Sequence, residues 1–312
     1  MSGSRAGPFP LPPGAEPRSD LPEWGSDAWH AVVAPQNYAF YEGIDTLYKY
    51  RAFATDEDER RVREILERNT VYFAARDRLN DTFDMAVRHE ITGDRNDPTT
   101  RERVLGDLER LMRAHRPPLP EEQIRAGLDR TRCADLAELE GQATEQSRAR
   151  LAKEFPIFCL ASDIQRPAQW AYYAGDNTGL CIHFDARLES RSPFAFARRV
   201  EYQEARPALP IPLDIDSLEV ARRVALIKHS DWDHEREYRL LAHPEIDLNL
   251  LEFDGSRGRF AGDLMVGITV GHRMEVAKVE QVRQLAQAHD PPIQLFRANP
   301  RPDTFSYSID PI

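Results

Sequence analysis

The sequence predicts an α+β fold, with a mixed or antiparallel central sheet, flanking helices and a helical insertion. Three observations lead there. Strand-like apolar runs crowd the second half of the chain, with few helical stretches between them. TLYKYRAF, Thr46 to Phe53, alternates aromatic and other residues with the period of a strand. From about Pro98 to Phe155 the chain is highly charged and its leucines recur at helical spacing.

Taken in order, residues 1–44 read as a disordered, proline-rich lead. Pro8, Pro10, Pro12, Pro13, Pro17 and Pro22 favour an extended, solvated backbone. A bridging stretch with Trp24, Trp29 and Tyr38 leads into a single domain over 45–312. After the opening strand, DEDERRVREILERNT reads as a helix, with Asp56 as N-cap and Val62, Ile65 and Leu66 as its apolar stripe. VYFAA is a second strand and RLNDTFD a loop. Two or three helices fill the insertion at about 98–153, broken by RPPLPEEQ. IFCLAS is a buried strand, QWAYYAGD a short helix or turn, and GLCIHFD and FARRVEYQ two more strands. LPIPLD reads as a loop, SLEVARRVALIKHS as a helix and HEREYRLLAH as a strand. The strand LMVGITVG, the helix EVAKVEQVRQLAQA and the strand PIQLFRAN close the pattern.

Bulk composition narrows the class. The 312 residues hold 41% apolar and 30% charged residues, which suits a globular chain with a sizeable core. The formal net charge is −11, so the overall field does not attract nucleic acid. No run of about 18 apolar residues predicts a membrane span. The N-terminus lacks the apolar core of a secretory signal. Cys133, Cys159 and Cys181 show no CxxC spacing and predict a reducing, cytoplasmic setting, with the thiols acting as small hydrophobes.

Chemistry concentrates in DWDHEREYRLL, Asp231 to Leu241. On a strand, Glu235, Glu237 and Arg239 share one face while Tyr238 and Leu240 take the other. Two adjacent carboxylates repel and raise each other's pKa, which makes a purely structural role a less economical reason for them. A buried ion network clamping a helix-to-strand joint is the bland alternative. In it Lys228 would sit one helical turn before Trp232. Asn80, Asp81 and Asp84 read as turn formers, or as a polar wall or metal ligands of a cleft. Trp170, Tyr172 and Tyr173 either pack a helix on the sheet or stack on a planar ligand. The histidines lie apart, with no H-E-x-x-H pair, and neither G-x-S-x-G nor a P-loop is present. A magnesium nuclease would draw on Asp81, Asp84, Glu235, Glu237 and Lys228.

Four segments in order resemble a known family. They are LYKYR (Leu47 to Arg51), VYFAARDRLNDTFD (Val71 to Asp84), FCLASDIQRPAQWAYYAGDNTGLCIHFD (Phe158 to Asp185) and KHSDWDHEREYRL (Lys228 to Leu240). Together they are similar to the bacterial domain of unknown function 2971. That family's pattern runs from Y-K-Y through F-N-D-P-F-E and W-x-H-Y-A to W-x-x-E-x-E-x-R. Thr82, Asp84 and Tyr172 depart from it, and the charged insertion lies outside it. Members occur beside mobile elements and phage-defence genes, which implies a toxin or defence effector.

The E-x-E spacing also resembles that of ADP-ribosyltransferases. In those enzymes a glutamate holds the nicotinamide-side ribose of NAD as positive charge develops there. The resemblance implies Glu237 in that role and Glu235 assisting the acceptor. It implies Lys49 on NAD phosphate or ribose, Ser162 supporting the glutamate, and Tyr48, Arg51, Trp170 and Tyr173 around the bound NAD. The middle element here is A-S-D rather than S-T-S. NAD is thus the expected substrate, with an unidentified acceptor and no membrane partner. A metal-dependent nuclease using the same acidic residues and a non-catalytic sensor or interaction module stand as the alternatives.

Overall fold

The computed structural model describes residues 37–115, 117–154, 156–211, 217–242 and 251–312. Eight strands build the central sheet: β1 (Thr46–Arg51), β2 (Ile157–Ala161), β3 (Leu180–Asp185), β4 (Arg198–Arg199), β5 (Glu237–Leu241), β6 (Met265–Val270), β7 (Leu295–Pro300) and β8 (Tyr307–Pro311). Their order is β8-β7-β6-β3-β1-β2-β5-β4. Only β6 and β7 run parallel, and the others pair antiparallel. The fold is α+β around a mixed sheet.

Helices cover both faces. α1 (Asp56–Arg68) brings Val62, Ile65 and Leu66 to one face, over Leu47, Phe158, Leu160 and Tyr238. α2 (Pro98–Ala114), α3 (Glu121–Cys133) and α4 (Leu136–Glu154) form the insertion, with a small core of Ile91, Val104 and Leu136. α5 (Pro167–Tyr173) covers part of the opposite face through Trp170, which packs with Tyr50, Cys181 and Tyr307. α6 (Ser217–Ala225) extends that side with Val220, Ala221 and Val224 against Ile157 and Leu241. α7 (Val276–Ala288) joins the α1 layer through Val279, Val282 and Leu285, and provides the crossover between the parallel strands β6 and β7.

Local chemistry sets several boundaries differently from the sequence reading. α1 is capped one residue earlier than Asp56. The Thr55 side chain accepts from the Asp58 N–H, while the Asp58 carboxylate accepts from the Thr55 N–H, a capping box. The helix expected over SLEVARRVALIKHS stops at Ala225. A short strand, Ile227–His229, and a 3₁₀ turn, Ser230–Glu235, follow it. Lys228 is therefore on a strand, not one helical turn before Trp232. LPIPLD holds part of a strand, Ala208–Pro210. The lead expected over 1–44 lies outside the described residues as far as 36. Its last residues are ordered: Tyr38 and Ala39 are buried, and Ala39 N–H donates to the Ala197 carbonyl at 2.8 Å.

One opening in the sheet positions everything below. β1 shares six register pairs with β3 but only one, Tyr48 with Ala161, with β2. At its other end β2 is met by Ala74, which exchanges backbone hydrogen bonds with Ile157 at 2.7 and 2.9 Å. Between Tyr48 and Ala74, no strand among the described residues lies beside the β1-facing side of Phe158–Leu160. The Lys49 ammonium donates to the Cys159 carbonyl there at 2.6 Å, replacing a ladder bond.

Candidate functional site

A cleft of about 810 Å³ lies at this opening. Lys49 and Arg51 of β1, Arg61 of α1, Asn80, Tyr173 and the pair Glu235 and Glu237 all line it. Its acidic end is organised by Arg239, which is 0% exposed. Arg239 uses all five of its N–H groups. Nε and Nη2 donate to Glu237 at 2.8 and 2.8 Å, and Nη1 and Nη2 donate to Asp84 at 2.9 and 2.6 Å. The fifth goes to the Ala225 carbonyl at 2.8 Å, at the end of α6. Lysine has neither the planar fork nor the donor count for this position.

Lys228 is the second cation. Its Nζ lies 2.5 Å from Glu235, 3.5 Å from Glu237 and 3.6 Å from Asp84, and sits over the Trp232 ring at 4.6 Å. Burial works against its charge, but Glu237, Asp84 and Glu235 outweigh that and hold its pKa above the ordinary value.

The two glutamates have different fates. Burial favours the neutral form of both. Around Glu237, the charges of Arg239 and Lys228 overcome burial and hold its pKa below the usual carboxylate range. Around Glu235, burial and the neighbouring Glu237 charge prevail over Lys228 and push its pKa up. The arithmetic is three carboxylates, Asp84, Glu235 and Glu237, against two cations, Arg239 and Lys228. Glu235 is the carboxylate Arg239 does not reach.

Besides Lys228, Glu235 is held by neutral donors on the cleft wall. The Tyr173 hydroxyl donates to Glu235 Oε1, and Asn80 Nδ2 donates to the same hydroxyl at 2.9 Å. The Glu235 carbonyl accepts from Gln169 Nε2 at 3.0 Å. The chain reverses between the glutamates at Arg236, which is left-handed at φ 45°. That conformation brings Glu235, at the end of a 3₁₀ turn, beside Glu237, the first residue of β5. The E-x-E pair therefore converges through a turn, not along one strand face. Glu237 and Arg239 do share a face, while Tyr238 and Leu240 enter the core on the other, as expected.

On the far side of the opening, burial first and then the Arg51 charge lower the Lys49 pKa to about 8. Glu237 and Glu235 act in the opposite direction. Lys49 shares this cleft with the glutamates. Tyr48 also lines it, though its ring packs edge-on against His183.

Other expected residues stand elsewhere. The Ser162 hydroxyl donates to the Arg236 carbonyl at 3.2 Å and touches neither carboxylate. It steadies the turn. Trp170 is 0% exposed and its Nε1 donates to the Ile164 carbonyl at 2.8 Å, so it packs α5 on the sheet and has no free face for stacking. Trp232 holds Lys228 from outside. Asp81 accepts from the Phe83 N–H at 2.8 Å, an Asx turn that aims Asp84 inward. Asp84 itself is 2% exposed and belongs to Arg239.

Sequence reasoning missed Gln169 and Tyr202, whose hydroxyl accepts the Glu237 N–H at 2.9 Å. Nothing in their local pattern marks them. Gly179 is also required. A Cβ there would meet the Arg51 carbonyl at 2.2 Å, so only glycine lets the turn after α5 approach β1.

Among the described residues no group of three or more His, Cys, Asp or Glu could hold a metal ion. Asp84, Glu235 and Glu237 direct their oxygens to Arg239, Lys228 and Tyr173. A second hollow of about 790 Å³ lies between residues 93–98 and the insertion helices. Its arginines are structural: Arg101 donates to the Thr131, Arg132 and Ala134 carbonyls at the end of α3, and Arg95 pairs with Glu140.

Comparison with known proteins adds one finding. Residues 169–240 match the model of a family described as "Protein of unknown function (DUF2971)". No curated protein and no solved structure matches the chain. The resemblance of the motifs is thus supported over this stretch, and the residues that match the family model include Tyr173, Lys228, Glu235, Glu237 and Arg239 of the cleft and its ion network.

Proposed function

We propose that the cleft takes NAD as substrate and transfers its ADP-ribose group, with Glu235 facing the reacting ribose and Glu237 positioning it. The observation that carries this reading is the difference between the two glutamates. Both line the cleft, but Glu237 is committed to the buried Arg239, whereas Glu235 is bound by Tyr173 and Lys228 on the cleft wall. This reverses the assignment that E-x-E spacing suggests.

The chemistry is glycosidic transfer. The bond between the ribose C1′ and the nicotinamide nitrogen breaks, and its electron pair returns to the ring, so nicotinamide leaves neutral. Positive charge grows on the ribose, where the Glu235 carboxylate stabilises it. The acceptor's lone pair forms the new bond to C1′, and the acceptor's proton passes to Glu235. Lys228 and Tyr173 fix the carboxylate's orientation, so little reorganisation accompanies the step. In a cell such transfer would make the chain a toxin or defence effector. The nuclease reading draws no support from carboxylates already directed at Arg239 and Lys228. The interaction-module reading needs only the Arg239 network, and separates from ours by experiment.

The test is NAD carrying separate labels on nicotinamide and adenosine, incubated with purified protein and cell lysate. Nicotinamide release is expected to fall on the order of 100-fold or more in Glu235→Gln, with the circular dichroism spectrum unchanged. Lack of NAD consumption with every acceptor, water included, sinks the proposal. So does a Glu235→Gln variant as active as the wild type.

A further inference from the structure

Arg51 differs from every charged group at the acidic end. Its Nε is buried and has no hydrogen-bond partner. Among the described residues no carboxylate pairs with its guanidinium, although it lines the cleft with Lys49 two residues before it. Burial first and then the Arg61 charge lower its pKa to about 10, and Asp58, the opposite charge on α1, offsets them only in part.

The nearby carboxylates are engaged elsewhere. Glu57 is shared between Arg60 at 2.8 Å and Arg61 at 2.9 Å. Asp58 accepts from the Thr55 N–H at 3.0 Å and the Thr55 hydroxyl at 2.8 Å, closing the helix cap. Away from the glutamate pair the cleft wall carries six cations, Lys49, Arg51 and four further arginines, against four carboxylates, Glu57, Asp58, Glu64 and Asp77. The opposite end carries three carboxylates against two cations. The chain as a whole is acidic, so this local excess of positive charge runs against its composition.

A buried, unpaired guanidinium donor in the wall of a cleft is a group waiting for an acceptor, because folding has removed its water without supplying a partner. Planar guanidinium groups match the paired oxygens of phosphate. We infer that Arg51 and Arg61, with Lys49 beside them, form an anion subsite for the phosphate or pyrophosphate of a small-molecule ester. This deepens the NAD reading, since NAD carries a pyrophosphate, but it stands on a separate observation at the other end of the cleft. A nucleic-acid backbone offers the same chemistry, but the net charge of −11 opposes so long an anion.

Calorimetric titration of the full chain with inorganic pyrophosphate at fixed ionic strength tests this. Pyrophosphate is expected to bind the wild type, at least tenfold more weakly to Arg51→Gln, and several-fold more weakly to Arg61→Gln, whose half-exposed side chain makes it a safe second variant. Unliganded Arg51→Gln is expected to melt no lower than the wild type, since the change removes a buried Nε donor that has no partner. The inference is overturned if pyrophosphate does not bind the wild type, if either variant binds it as tightly, or if only a single-stranded oligonucleotide binds. Pyrophosphate binding without NAD turnover would leave the subsite standing and remove the transferase reading. Turnover unaffected by Arg51→Gln would do the reverse.

Discussion

Replacing Arg239 with methionine tests the ion network at its centre. Methionine keeps most of the side-chain length, so the change removes charge and donors more than volume. Five hydrogen bonds go, four of them to carboxylates. Asp84 and Glu237, at 2% and 5% exposure, are left with Lys228 at 3.5–3.6 Å as their remaining cation. Removing one partner of a buried ion group costs about 3–5 kcal/mol. Lys228 keeps the expectation near the lower figure. For a chain of this size about 2 °C of melting temperature accompanies each kcal/mol, so a fall of roughly 6 °C is expected. Urea unfolding should show a lower midpoint at unchanged slope. The triple change Asp84→Asn, Glu237→Gln and Arg239→Met removes all three charges together, and should recover most of the loss. A single variant that loses under about 1 kcal/mol, or a triple variant as unstable as the single one, refutes the account of Arg239 as the keystone of a desolvated cluster.

The turn between the glutamates gives a second expectation. Arg236→Ile places a β-branched residue at φ 45° and should cost about 1–2 kcal/mol, while Arg236→Gly should be close to neutral, as chemical unfolding will show. Lys49 predicts a pH dependence. Its folded pKa of about 8 lies below the ordinary lysine value of 10.5, so between these values the unfolded chain binds a proton the folded one does not. Stability should therefore rise with pH from about 8 to 10.5, and the penalty should be fully present below about 8. Lys49→Met should flatten that slope in melting curves taken across the range. An unchanged slope would place the titration elsewhere.

The layers of the fold were legible because periodicity reports burial. Val62, Ile65 and Leu66 mark one helix face, and Tyr238 and Leu240 mark the core side of β5. The ion network was half legible. Glu237 and Arg239 alternate on a strand, and that spacing is local. Asp84 reaches them from 155 residues away in the chain, which no local pattern encodes. Misreadings share one cause: a residue was assigned a role by its type before its partner was known. Ser162 has a hydroxyl, but the nearest acceptor is the Arg236 carbonyl. Trp170 has a ring suited to stacking, but Tyr50 and Tyr307 already pack against it. The E-x-E pair was assumed to need a continuous strand. A single left-handed residue achieves the same convergence and also gives the two carboxylates different surroundings.

That inequality separates a structural joint from a working site. If the cluster served stability alone, the effect of each change on turnover would follow its effect on stability. The geometry predicts a split. Glu237→Gln disturbs the guanidinium that ties Asp84 to the end of α6, so it should lower the unfolding midpoint. In Glu235→Gln, Lys228 keeps Glu237 and Asp84 at 3.5 and 3.6 Å and Arg239 is untouched, so the midpoint should move little. Loss of NAD turnover in Glu235→Gln at retained stability would be a signature that a salt-bridged joint cannot produce. Equal destabilisation in both variants, with no separate effect on turnover, would return the whole cluster to architecture.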